Sequence, residues 1–211
     1  VGLSSGATVV ISQFFGGPSD REVSRSVHTA IMLALTGGAI LMIVGIAAAR
    51  PILQLMQTPE DVMDYSVTYI RIYFLGMIPS SIYNIGSGIL RAVGDAKRPL
   101  YFLIAACFTN IVLDLLFVVV FHWGVAGAGI ATVMSQCLSA VLVCLVLSRS
   151  TESYRVMWHK VRFDSVMLPR IIRIGIPAGL QSVMYNAANI VVQTSMNTFG
   201  TDNVASWTVF E

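Results

Sequence analysis

Asp114 is the only charged residue in the 23-residue run 99–121. About 20 apolar residues in a helix cross the hydrocarbon core of a bilayer, so the run reads as a membrane span. A carboxylate there is costly and by default marks a functional site. Asn110 precedes it by four residues, which puts both on one helix face. The chain then turns at His122-Trp-Gly124 and enters an uncharged run, 123–147. With residue 123 as the turn, Asp114 and Thr132 each lie nine residues from it, and Asn110 and Gln136 each lie thirteen. In an antiparallel helix pair of equal rise, these form two polar layers at matching depths. The reading is an intramembrane polar site shared by two helices.

The rest of the chain has the same character. Of its 211 residues 55% are hydrophobic and 11% charged, with mean hydropathy +0.75. A soluble globular domain carries about 25% charged residues, so that class is excluded. Cys107, Cys137 and Cys144 fall inside apolar runs and read as reduced packing residues, not a disulfide framework. No signal peptide is visible. The chain opens on Val1 within a helical pattern and is expected to be a fragment.

The pattern predicts about six transmembrane helices, the first truncated. Residues 1–15 are small-rich, as suits close helix packing in lipid. A break at 16–20 follows, with Ser19 as a candidate cap and Glu22 at the capping-box position. The second span is 27–49, with His28 as an interfacial residue, and Arg50-Pro51 is expected to end it. Residues 52–64 form an interfacial connection in which Thr58-Pro59 starts a turn or helix. The third span, 65–90, contains Pro79. That proline reads either as a tolerated kink or as a hinge. The fourth and fifth spans are the hairpin around residue 123. Residues 149–173 form a polar linker with Tyr154 and Trp158 as interfacial anchors. The sixth span, from 174, carries Ser182, Asn186, Asn189 and Gln193 on one face. This stripe reads either as interhelical hydrogen bonding or as the wall of a water-filled cavity.

Charge sets the orientation. The loops after spans one, three and five hold eleven Lys and Arg, and those after spans two and four hold Arg50 alone. The positive-inside rule makes the former cytoplasmic. Asp114 and Thr132 then lie roughly 13 Å below the outer turn.

Several stretches resemble the multidrug and toxic compound extrusion (MATE) transporters. They are residues 5–13, Ile89-Leu-Arg-Ala-Val-Gly-Asp-Ala-Lys-Arg-Pro-Leu100, Asn110-Ile-Val-Leu-Asp114, residues 124–136, and Ile174-Gly-Ile-Pro-Ala178 with Phe199-Gly-Thr201. The resemblance implies an all-α polytopic membrane protein, half of a twelve-helix, two-lobe transporter, covering about helices two to seven. Residues 1–148 would belong to the N-terminal lobe, 149–173 to a cytoplasmic inter-lobe linker, and 174–211 to the start of the C-terminal lobe. It implies export of organic cations and amphipathic drugs across the cytoplasmic membrane by antiport with Na⁺ or H⁺, by a protein monomeric at full length. In the DinF-like branch an Asn and an Asp on helix five and a Thr on helix six form a cation site with an Asp on helix one. The first three match Asn110, Asp114 and Thr132. Asn84 matches a further cavity Asn, and Gln136, Asn186, Asn189 and Gln193 would line the substrate cavity. The acid on helix seven of the NorM-like branch has no counterpart in Met184-Tyr-Asn-Ala-Ala-Asn189, which favours the DinF-like arrangement.

The residue types fit this chemistry. Carboxylate, amide carbonyl and hydroxyl oxygens suit a hard cation, and a carboxylate in low dielectric takes up a proton more readily. A related flippase for lipid-linked oligosaccharide or polysaccharide is the alternative. It should present more cationic residues to its cavity, and the span interiors carry almost none. No Ser-His-Asp set or metal-ligand spacing supports an enzyme. A non-transporting scaffold would use Asp114 only to hydrogen-bond a neighbouring helix. The basic residues flank membrane spans and need no nucleic-acid partner.

Overall fold

A computed structural model describes residues 2–15, 17, 20–56 and 58–197, with side chains through residue 192. Ser19, Phe199 and Thr201 lie outside the described residues, as does the side chain of Gln193. The described chain is all-α, with helices α1 (Gly2–Phe15), α2 (Asp20–Leu55), α3 (Glu60–Leu75), α4 (Met77–Ala92), α5 (Lys97–Asp114), α6 (Gly124–Arg149) and α7 (Met167–Asn197). A π-helical segment, Leu115–Val120, continues α5, and a single 3-10 turn, Trp158–Lys160, interrupts the linker before α7.

Among the described residues three helices are long and apolar enough to cross a membrane unaided: α2, α5 with its π extension, and α6. Their outer faces leave Ile40, Ile43, Phe108, Val112, Val119 and Val141 exposed, the pattern of a surface solvated by lipid. Three threonine hydroxyls inside the spans are satisfied locally. Thr36, Thr109 and Thr132 each donate to the carbonyl four residues back, which removes the cost of an unbonded hydroxyl in hydrocarbon.

Three boundaries differ from the sequence pattern. Helix α7 begins at Met167, inside the predicted linker 149–173. The helix predicted to stop at Arg50-Pro51 runs on to Leu55. Pro51 removes one ladder bond near the helix end and does not terminate it. The span 65–90 is two 16-residue helices joined at Gly76. Pro79 lies in the first turn of α4, where a missing N–H costs little. Its ring would oppose the carbonyl of Leu75 four residues back, and Leu75 is where α3 ends. The proline thus accounts for a break three residues upstream of itself. Gly76 carries the chain across, its N–H bonding the Tyr73 carbonyl at 3.0 Å and its carbonyl accepting from Ser80 N–H at 3.0 Å.

The core sits at the end of the bundle where the basic loops emerge. It joins Val10 and Ile11 of α1, Val23 and Val27 of α2, Ile89 and Leu90 of α4, and Leu147 of α6 with Val156, Met167 and Ile171. Helices α1 and α7 meet there on glycine. A Cβ on Gly2 would collide with the Gly179 backbone, and one on Gly6 with the backbone of Ile171 and Gly175. Small-xxx-small spacing on both helices permits this approach. Beyond the core α7 is uncovered: Val183, Met184, Tyr185, Ile190 and Val191 are all exposed.

Candidate functional site

The α5–α6 hairpin closes at His122, whose φ of 55° lies in the left-handed region, followed by Gly124 at the same φ. Stacked Phe117 and Trp123 rings, 5.0 Å apart, brace the turn, and Trp123 N–H bonds the Phe117 carbonyl at 2.9 Å. The two helices on either side of the turn pack against each other.

Asp114 is the last α-helical residue before the π segment. π-Helical turns are rare and recur at functional sites. Here the change of winding begins one residue after Asp114. Asp114 and Asn110 are both half-buried, one turn apart on α5. Asp114 Oδ1, Asn110 Nδ2 and Gln136 Oε1 are buried and have no hydrogen-bond partner among the described residues. Leaving such an atom unpaired costs about 1–3 kcal/mol, and more for a charged one. Three of the polar groups that the hairpin count singled out are therefore in deficit. Thr132 is half-buried and donates to the Ala128 carbonyl at 3.0 Å, so its oxygen remains free to accept. A half-turn of the Asn110 amide would present its oxygen instead of its nitrogen. Gln136 lies across the α3–α4 break, where a Cβ on Gly76 would collide with Oε1. This contact ties the hairpin to the broken helix.

Asn84 lies beside α1. Its side-chain Nδ2 donates to the Ser80 carbonyl at 2.8 Å, and its main-chain carbonyl accepts from Ser4 Oγ at 2.6 Å. It borders a groove of about 680 Å³ between α1, α2, α4 and α7 that Leu33, Leu41, Ile176 and Val183 also line. Asn186 is exposed and Asn189 half-buried on the uncovered part of α7.

One group of residues was invisible to sequence reasoning. His28, expected at an interface, is buried. Its Nε2 accepts Met157 N–H at 3.0 Å, which leaves the ring proton on Nδ1, donated to the Ser24 carbonyl at 2.6 Å. Thr29 Oγ1 accepts Asp164 N–H at 3.2 Å, and Arg25 pairs with Asp164 at 2.6 Å. Partial burial would raise the Asp164 carboxyl. The Val166 N–H, the Arg25 guanidinium and the Met167 N–H outweigh it and hold the group below the usual carboxylate range. The only trace of this in the sequence is the placement of Ser24, Arg25, His28 and Thr29 on one helix face.

The family model MatE matches residues 1–116. The chain belongs to the MatE family. It is 34% identical over 214 residues to "Probable multidrug resistance protein YpnP" of Bacillus subtilis (strain 168), covering 98% of this chain and 46% of that one. It is 29% identical over 217 residues to "Probable multidrug resistance protein YoeA" of the same organism, covering 99% and 47%. Its fold matches that of a solved "multidrug resistance MATE family transporter of the MOP superfamily" in an outward-facing conformation. The TM-score is 0.86 at 25% identity, over 98% of this chain and 46% of the other. The chain thus spans about half the length of the MatE relatives it matches.

Proposed function

We propose that the full-length protein is a secondary active transporter that exports organic cations and amphipathic drugs across the cytoplasmic membrane by antiport with Na⁺ or H⁺. In this reading Asp114, Asn110 and Thr132 form part of the cation site. Gln136, Asn84, Asn186, Asn189 and Gln193 line the substrate path, and the Gly76–Pro79 break serves as its hinge. The observation that carries the proposal is the unpartnered, buried Asp114 Oδ1. A cation or a proton satisfies that atom, and either one alters the balance of the helices around it. The unpaired Gln136 Oε1, set against Gly76, puts a second unsatisfied polar atom of the hairpin at the break between α3 and α4. MatE membership and the printed names of the relatives support drug export.

Full-length protein in sealed vesicles tests this. An imposed inward Na⁺ or H⁺ gradient is expected to drive ethidium in the opposite direction, with flux rising as the gradient steepens. Ethidium movement indifferent to both gradients would overturn the proposal.

A further inference from the structure

The linker before α7 crosses the first turns of α2 and is tied there at two points. Met157 N–H is held by His28, and Asp164 is held by Thr29 and Arg25. Between the ties, residues 158–163 arch over a cavity of about 330 Å³ lined by Arg25, His28, His159, Lys160, Arg162 and Asp164. The only carboxylate in that lining is already engaged by Arg25 and by two backbone N–H groups. Lys160 and Arg162 form no ion pair among the described residues. The lining therefore keeps a net charge of about +2, counting both histidines as neutral. The same short segment exposes Trp158 and Phe163, at 51% and 42% of their surfaces, and Val166 just past it is exposed at 46%. Cationic groups gathered in a concavity, with large apolar side chains exposed on the linker that lines it, match the two halves of a phospholipid: an anionic headgroup and its acyl chains.

We infer that this cavity binds the phosphate headgroup of an anionic phospholipid in the leaflet on the linker side. Lys160 and Arg162 contact the phosphate, and Trp158 and Phe163 lie against the chains. A soluble phosphate would use the cations but has no use for the exposed rings. Basic pockets at a membrane boundary favour anionic headgroups, and Trp settles at the same level. The tie points fix this pocket in place, which a mobile basic loop would not do. The inference is independent of the transport reading, because lipid retention is measured without flux.

The test is native mass spectrometry of full-length protein released from nanodiscs of equimolar phosphatidylglycerol and phosphatidylcholine. Wild type is expected to retain phosphatidylglycerol in preference by roughly tenfold or more. Lys160→Gln/Arg162→Gln should lose that preference, and Arg149→Gln, a basic residue outside the cavity, should keep it. Trp158→Ser should weaken retention, and millimolar inorganic phosphate should not displace the lipid. Equal retention of the two lipids by wild type would overturn the inference. Equal loss in Arg149→Gln would overturn it in favour of general surface charge. Displacement by inorganic phosphate, with no effect of Trp158→Ser, would make the cavity a free-anion site and overturn the lipid assignment.

Discussion

Asp114→Asn in the full-length protein is expected to cut gradient-coupled export of ethidium steeply while leaving expression and membrane insertion intact. The substitution preserves side-chain volume and removes only the charge and the site for a proton. Hydrogen bonds to charged groups contribute about 1.5–3 kcal/mol, so coupled flux should fall by roughly 10- to 150-fold. Thermal stability should move in the opposite direction. A buried carboxylate oxygen without a partner is a cost to the folded state, and the Asn lightens it. Resistance to heating should be unchanged or slightly higher in detergent. Loss of function with stability retained separates a transport role from a scaffold role. A helix-packing Asp114 would instead lose stability when replaced.

Gly6→Leu is expected to have the second largest effect, through geometry and not through chemistry at the cation site. Gly6 lies against the backbone of Ile171 and Gly175, and Gly2 against that of Gly179. There is no room for a side chain between α1 and α7 at this level. Overpacking costs about 1–3 kcal/mol, enough to shift a two-state equilibrium by roughly 5- to 150-fold. In the proposed transporter these two helices belong to different lobes, so the substitution should populate states separated at the basic end. Spin labels at Ser12 of α1 and Arg173 of α7, both exposed, can report this. The natural cysteines would first be replaced by serine. The distance distribution should lengthen in Gly6→Leu and move much less in Gly6→Ala. An unchanged distribution in Gly6→Leu would show that the glycine contact does not hold the lobes together.

What the sequence revealed and what it hid divide along physical lines. The hairpin was legible because its signal is local and strong: one charge in an apolar run, a turn at His122-Trp-Gly124, and polar residues at equal distances from it. The structure leaves Asp114, Asn110 and Gln136 with unpaired buried atoms, three of the four residues that count picked out. The π segment was not legible, because Leu115–Val120 is a plain apolar run and its winding depends on how the hairpin packs. Pro79 was visible as a disturbance. The position of the break depends on the carbonyl its ring opposes, and that places it at Gly76. The hold on the linker was hidden because it joins residues more than 120 apart, as in His28 with Met157. A lone His at the edge of a span gives no sign of a backbone N–H waiting for it. At Asn84 the helix position was legible but the bonds were not: the side-chain amide donates to the Ser80 carbonyl, and the main-chain carbonyl accepts from Ser4 Oγ.

In the proposed transporter Asp114 binds the coupling cation. Calorimetric titration of Na⁺ into purified full-length protein, with an indicator dye following proton release in the same sample, tests this. A saturable signal is expected in wild type, as Na⁺ binding or as proton exchange, with its loss in Asp114→Asn. Equal signals from the two proteins would contradict it.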